Sequence, residues 1–338
     1  MQSFSVVIVG AGPGGLACAR RLAENGLDVV VLERKSVVGP KVCGGGITWD
    51  GLISRVPENL IEKSFPEQYI RSNYQQTLFR SADPIVATIH REVLGEWMRS
   101  QAETAGAIIK TSCPVNRITD DFVSTSQGDF SYRYLVGADG SSSIVRKYLR
   151  LGSEKVGVGI DFQVPGNFDR MEWHLNHGRF NNGYGWIFPY KDIASVGIYG
   201  AKPYNNPGKM LAALRHWAIA QKIPTTGLKP RAGLINFDYR GWHFGNRMLI
   251  GDAAGLASGL TGEGMYSALV SGETAAEVIL NPEFDCRELQ QLILKQQKHR
   301  RIVELSAKSK FINIGLMEFL ILALRIGLIP FSMLEMAD

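Results

Sequence analysis

A chain of 338 residues with 45% apolar and 20% charged residues can bury a substantial core, arranged as two interleaved lobes, and reads as a globular protein. Its four cysteines, Cys18, Cys43, Cys113 and Cys286, contain no C-x-x-C pair, which argues against a disulfide framework and against a zinc site. The net charge of +5 resides in Lys295, Lys298, Arg300, Arg301, Lys308 and Lys310 set against Glu304, which points to contact with an anionic surface and away from nucleic-acid binding across the whole molecule.

Ser5 to Val9 is β-branched and apolar, as a buried parallel strand requires. It leads straight into Gly10-Ala-Gly12-Pro-Gly14-Gly15, which leaves no room for a leader ahead of the fold, so a cytosolic protein is expected. A helix follows from about Gly14 to Glu24, Gly26 ends it, and Asp28 to Glu33 forms a second buried strand. This β-α-β unit carries G-x-G-x-x-G in the context that gives the motif its meaning. Gly10 allows the tight turn, Gly12 lets a pyrophosphate approach the backbone, Gly15 permits close helix packing, and the helix N-terminus offers N–H donors to the anion. Glu33 is expected to accept from an adenosine ribose hydroxyl, and its charge disfavours a 2′-phosphate and hence tightly held NADP. The motif by itself leaves FAD and NAD both open.

Arg91 to Ala105 predicts a helix ahead of a strand at Ala107 to Thr111, and a polar hairpin around Asp120 and Gly128 leads into the apolar strand Tyr134 to Ala138. From about Lys155 to Tyr239, alternating aromatic-rich segments punctuated by Gly and Pro predict an antiparallel sheet, a separate lobe. Within it Tyr184, Trp186 and Phe188 share one strand face, as an aromatic wall for a substrate or as plain core. His174 and His177 have no companions at ligand spacing, so they read as polar surface and no metal is expected. The buried-strand pattern returns at Arg247 to Asp252, a helix runs from about Gly264 to Leu280, and a basic helix and an apolar tail close the chain.

Leu135-Val-Gly-Ala-Asp139-Gly140-Ser-Ser-Ser-Ile-Val-Arg146 and Ile250-Gly-Asp252-Ala-Ala resemble the paired signatures of the p-hydroxybenzoate-hydroxylase-like flavoproteins. Lys41-Val-Cys43-Gly-Gly-Gly46, Gly183-Tyr-Gly-Trp186-Ile-Phe-Pro189, and Gly251-Asp-Ala-Ala-Gly255 followed by Thr261-Gly-Glu-Gly264 narrow the resemblance to the geranylgeranyl reductase branch, over most of the chain. The resemblance implies enzyme-bound FAD and reduction of isolated double bonds in polyprenyl chains. It implies an α/β fold in which a Rossmann-like FAD-binding domain (1–50, 85–150 and 240–285) is interrupted by an antiparallel-sheet substrate lobe (51–84 and 151–239) and followed by a C-terminal helical segment (286–338). It also implies a ribityl contact at Asp252 and an arginine near the cofactor at Arg91, with Arg34, Asp139, Gly262, Glu263 and Gly264 completing the cofactor set beside Gly10, Gly12, Gly14, Gly15 and Glu33.

Residue chemistry adds to this. The Thr261–Gly264 loop lies just before a helix, so its amides and the positive end of the dipole suit the pyrimidine edge of a flavin. Cys43 precedes three glycines, which would let flavin or substrate come close to the backbone, so this thiol or a water it positions is the expected proton donor. Tyr184 and Trp186 complete the candidate catalytic set. A single fingerprint implies that NADPH or a ferredoxin-like protein reduces the flavin transiently. Two rival classes share these features. A flavin monooxygenase or halogenase is one, because Tyr184-Gly-Trp186-Ile-Phe-Pro189 matches W-x-W-x-I-P with two mismatches; an isoprenoid carrier that needs no flavin is the other.

Phe311 to Phe331 is about long enough to cross a bilayer, but Glu318 and Arg325 interrupt it, each costing about 2.5–3.5 kcal/mol at the centre. Their spacing predicts one polar helix face, with Leu316, Phe319, Leu320, Ala323, Leu324 and Gly327 filling much of the rest. Such a helix lies peripherally on an anionic membrane, fed by the basic cluster, or folds back as a cap over a substrate tunnel.

Overall fold

The computed structural model describes residues 1–52, 55–202 and 204–337; Asp338, the end of the expected C-terminal segment, lies outside them. The first unit is β1 (Gln2–Val9), α1 (Pro13–Glu24) and β2 (Val29–Leu32). β1 and β2 pair in parallel from Val6↔Val29 to Val9↔Leu32, and their aliphatic side chains are covered on both faces. The chain then crosses through β3 (Gly46–Thr48), α2 (Trp49–Leu52), β4 (Ile61–Phe65), β5 (Glu67–Arg71), β6 (Gln76–Arg80) and β7 (Val86–Ile89). β3, β7 and β4 form a small sheet, whereas β5 and β6 leave as a hairpin for a larger one. α3 (Arg91–Thr104) brings the chain back to β8 (Ile108–Lys110), beside β2. β9 (Val115–Ile118), β10 (Phe122–Thr125) and β11 (Gly128–Gly137) make an antiparallel meander, and β11 continues parallel to β1.

After α4 (Ile144–Tyr148) come β12 (Val156–Pro165), β13 (Glu172–His174), α5 (His177–Phe180), β14 (Tyr184–Pro189), β15 (Ile193–Ala201), α6 (Pro207–Ala220) and β16 (Arg231–Asn236). Together with the hairpin they form a seven-stranded sheet of order β16-β12-β15-β14-β13-β5-β6. The sheet is antiparallel at every pairing but one, and two features add to the expected antiparallel lobe. β13 pairs with β5 in parallel, and the stretch contains a 14-residue helix, α6, that the aromatic-rich reading took for sheet. Its start signal is present in the sequence: Asn206 caps the amides of Gly208 and Lys209, and Pro207 opens the first turn. Strand alternation splits the sheet in two. Val158, Ile160, Phe162, Val196 and Ile198 pack under Met210, Leu214 and Trp217 of α6, and the alternate residues face the first lobe. His174, expected at the surface, belongs to the α6 side: it is buried, hydrogen-bonded to Glu172 at 2.9 Å and set edge-on to Trp217.

β17 (His243–Phe244) and β18 (Arg247–Leu249) complete the first sheet next to β11, followed by α7 (Gly251–Ala254) and α8 (Met265–Leu280). α8 lies directly on α1: a Cβ on Gly14 would stand 2.6 Å from the Ala268 carbonyl oxygen, and one on Gly272 would stand 2.2 Å from that of Gly14. Gly14 is therefore small for the sake of helix packing.

α9 (Arg287–Ser306) and α10 (Lys310–Arg325) precede a tail that returns to the first lobe. Glu318 and Arg325 lie on one side of α10, but Glu318 is not left to solvent. Glu318 accepts from Ser72 Oγ at 2.8 Å, Tyr74 N at 3.1 Å and Gln75 Nε2 at 2.8 Å, so it faces the β5–β6 turn. That carboxylate with several donors sets the helix rotation, burying Ala323 and Leu324 and turning Phe311, Phe319, Leu322 and Ile326 outward. Among the described residues, no helix is long and apolar enough to cross a membrane.

Candidate functional site

A single cavity of about 830 Å³ runs between the two large sheets, and every candidate residue named from the sequence lines it. On its β1 side, a Cβ on Gly10, whose φ is +103°, would stand 2.5 Å from the Ala138 carbonyl oxygen, and one on Gly15 would stand 2.2 Å from that of Gly10. Gly12 differs: the nearest protein atom to its Cβ would be 3.7 Å away, so the protein itself leaves room there. Gly12 caps α1 without a side-chain hydrogen bond and the first turn holds no acid, so the protein does not offset the positive end of the dipole. Glu33 accepts from Ala11 N at 2.8 Å and Lys35 N at 2.9 Å, and Arg34 lies exposed on the rim beside it.

Across the cleft, Asp139 Oδ2 accepts from Ile144 N at 2.6 Å at the start of α4. Its Oδ1 is buried with no protein partner, and burial lifts its pKa above the ordinary carboxylate range. Arg91 places Nη1 3.0 Å from Met265 Sδ and leaves Nε buried and unpaired. Asp252 is 8% exposed, and its Oδ2 accepts from Lys41 Nζ at 2.8 Å and Ser141 Oγ at 2.9 Å. Space at Gly12, an open helix N-terminus, an unpaired buried donor on Arg91 and an unpaired buried acceptor on Asp139 fit an FAD. Glu33 would hold the adenosine, Gly10 to Gly15 the diphosphate and Asp252 the ribityl chain.

The opposite wall is the inner face of the seven-stranded sheet. Pairing sets Trp186 beside Gly197, where a Cβ would stand 2.2 Å from the indole, and Tyr184 beside Tyr199. The Tyr184, Trp186 and Phe188 rings follow one another at 6.1 and 5.9 Å. Trp186 Nε1 donates to Ser195 Oγ at 3.0 Å, and Ser195 donates to Asp161 at 2.8 Å; Arg231 donates to both oxygens of the same carboxylate, at 2.6 and 3.1 Å. Sequence reasoning missed this relay, because its members lie on four strands that only the register brings together. Tyr184 donates to the Thr261 carbonyl, and burial holds its phenol protonated well above the usual range.

The three glycines after Cys43 have a different cause from the one expected. Added Cβ atoms would stand 3.0 Å from Phe188 at Gly44, 1.5 Å from Tyr190 Oη at Gly45 and 2.9 Å from Phe188 at Gly46. The loop is stripped of side chains by the protein's own aromatic rings. Cys43 lies at the edge of this contact, lining the cavity, with Sγ 3.4 Å from Gly45 N. In the loop before α8, the Glu263 carboxylate accepts from Thr48 Oγ1 at 3.1 Å and Met336 N at 2.9 Å, and burial pushes its pKa up to about 6. That side chain ties the C-terminal tail and β3 to the loop, so the loop faces the cavity with its backbone. Leu334 and Glu335 of the tail line the cavity too, which nothing in their local sequence signals.

The Thi4 family matches residues 1–96. The chloroplastic geranylgeranyl diphosphate reductase of Oryza sativa is 28% identical over 82% of this chain and 67% of its own length. Digeranylgeranylglycerophospholipid reductase 2 of Methanosphaera stadtmanae is 28% identical over 88% of this chain and 84% of its own. Among solved structures, a geranylgeranyl bacteriochlorophyll reductase-like protein from Thermoplasma acidophilum shares the fold at a TM-score of 0.77, with 19% identity and 96% of each chain covered. A probable FAD-dependent monooxygenase from Pseudomonas aeruginosa shares it at 0.65, with 18% identity over 94% of this chain and 100% of its own.

Proposed function

We propose that the chain, an FAD-dependent oxidoreductase similar to the geranylgeranyl reductases, adds hydrogen across carbon–carbon double bonds of a polyprenyl or similarly long apolar substrate. The observation that carries this reading is one continuous cavity, with the dinucleotide site on one side, an aromatic wall on the other and Cys43 between them. On this reading residues 1–50, 85–150 and 240–285 serve the cofactor, and 51–84 with 151–239 serve the substrate.

The chemistry a bound FAD supplies in its reduced form is a hydride from N5. Tyr184, Trp186 and Phe188 exclude water and hold the alkene by dispersion contact. The Cys43 thiol gives a proton to the second carbon and regains one from water, so one hydride and one proton saturate one double bond. Backbone amides of Gly262 to Gly264, at the N-terminus of α8, favour negative charge at the cofactor's edge. The electrons come from NADPH or a ferredoxin-like protein that binds transiently.

The test is anaerobic incubation of dithionite-reduced protein with polyprenyl phosphates, quinones and glycerolipids, followed by mass analysis. Hydrogen added to the polyprenyl chains supports the reading. Products that contain oxygen and form only in air support the monooxygenase or halogenase class instead, and a colourless protein that binds polyprenyl chains unchanged supports a carrier.

α10 extends the reading to the cell. Its exposed Phe311, Phe319, Leu322 and Ile326 form one face, flanked by exposed Lys308, Lys310 and Arg325, a combination suited to an anionic bilayer. The tail that follows α10 lines the cavity at Leu334, so the exposed apolar face and the cavity are joined by a short stretch of chain. Because the tail builds the cavity, point changes test this better than truncation. Phe319→Asp with Ile326→Asp should release the protein from anionic vesicles at low salt and leave FAD bound; unchanged partitioning would remove the membrane from the account.

A further inference from the structure

The aromatic wall stops at β13. On the cavity face, pairing sets Asp161, Gly197, Trp186 and Trp173 side by side across β12, β15, β14 and β13. The next positions in that row are Ile70 of β5 and Thr77 of β6, yet among the described residues neither strand contributes to the cavity. The C-terminal tail is the reason. Phe331 stacks on Trp173 with ring centroids 5.8 Å and planes 10° apart, and it packs on Phe79 of β6 at 5.5 Å. It therefore covers the strip of sheet along which the cavity would otherwise continue. Trp173 Nε1 is buried without a hydrogen-bond partner, so the indole is held by ring packing and depends on Phe331 for its position. The tail is tied down apart from any substrate: Met336 N donates to Glu263 at 2.9 Å, His299 bridges Ser258 Oγ at 2.8 Å and the Met333 carbonyl at 3.0 Å, and Lys295 donates to the Ala337 carbonyl at 2.6 Å.

From this arrangement we propose that the Trp173–Phe331 stack is the stop that sets how long an apolar chain the site accepts, an inference that rests on the polyprenyl reading above. A chain that follows the wall from Cys43 past Trp186 gains apolar contact until it meets Trp173. Beyond that point each added unit stays in water or displaces two stacked rings.

The test uses the full-length, FAD-loaded protein and a series of polyprenyl phosphates of increasing length, with binding read from the change in flavin absorbance and confirmed by thermal shift. Wild-type affinity should rise with each isoprene unit to a limit and then level. Phe331→Ala should move that limit to longer chains and bind the first chain beyond it at least about tenfold more tightly. Met333→Ala, in the same tail but outside the aromatic row, should leave the limit in place. Trp173→Leu is the independent variant, and it decides the matter if Phe331→Ala fails to fold. If folded, yellow forms of both variants keep the wild-type limit, the stop is overturned. If no polyprenyl phosphate binds the wild type at any length, the polyprenyl reading falls and takes the stop with it.

Discussion

Two glycine-rich stretches border the same cavity, and they are glycine-rich for different reasons. In Gly10 to Gly15, the protein itself forbids side chains at Gly10, Gly14 and Gly15, and only Gly12 is small where no protein atom demands it. In Gly44 to Gly46, all three positions are closed by Phe188, Trp186 and Tyr190. A run of glycines thus marks close approach, and the approaching group is an aromatic ring at Gly44 to Gly46, whereas at Gly12 the protein leaves the space open.

The largest expected effect breaks this contrast from the aromatic side. Gly45→Val places a branched side chain at a φ of +80° against the Tyr190 hydroxyl, and strain plus overpacking should cost about 3 kcal/mol or more, read as a large fall in Tm with or without FAD. Gly12→Val should do the opposite. Its φ of −76° suits valine, so the stability of the FAD-free protein should stay within about 0.5 kcal/mol of wild type while flavin is no longer retained. Stoichiometric FAD in that variant would show that the space at Gly12 serves something else.

Much of the first lobe was legible because its signals are local. A buried strand, a glycine turn, a helix and an acidic residue follow one another within Ser5 to Glu33, and strand pairing then has little freedom. The wall opposite was legible only in part. Alternation gave the shared face of Tyr184, Trp186 and Phe188, but the partners that fix them, Gly197, Ser195 and Asp161, are chosen by register across separate strands. α6 was hidden by the aromatic, alternating segments on either side of it, although its own stretch holds only Trp217 among Phe, Trp and Tyr and has an Asn-Pro start. The rotation of α10 could not be read from its own sequence either, because the donors that claim Glu318 sit in a turn some 240 positions earlier.

Smaller effects sharpen the division of labour inside the wall. Cys43→Ser should keep FAD yet slow alkene reduction from pre-reduced protein by about 100-fold, the scale of a lost proton donor. Trp186→Ala should instead raise KM and cost about 3–5 kcal/mol of stability, since a ring seated on Gly197 and bonded to Ser195 is removed. Wild-type single turnover in the Cys43 variant would leave that thiol a packing role.

The smallest effect is a pH dependence. Glu263 has its pKa raised from 4.5 to about 6 by burial, so the folded state holds an extra proton between those values and loses stability as pH rises through them. The loss is at most about 2 kcal/mol. Glu263→Gln keeps an acceptor for Met336 N and Thr48 Oγ1 and should flatten the change in Tm from pH 4.5 to 7. A slope as steep as that of wild type would assign the titration to another group.

The measurement that bears most directly on the shared cavity is a single turnover without oxygen. Protein reduced with one equivalent of dithionite is mixed with a polyprenyl phosphate, and the return of oxidised-flavin absorbance is followed against the number of double bonds lost. The account expects one double bond saturated for each flavin reoxidised, with both slowed together in Trp186→Ala at substrate concentrations below its raised KM. A flavin that stays reduced until air is admitted would contradict it.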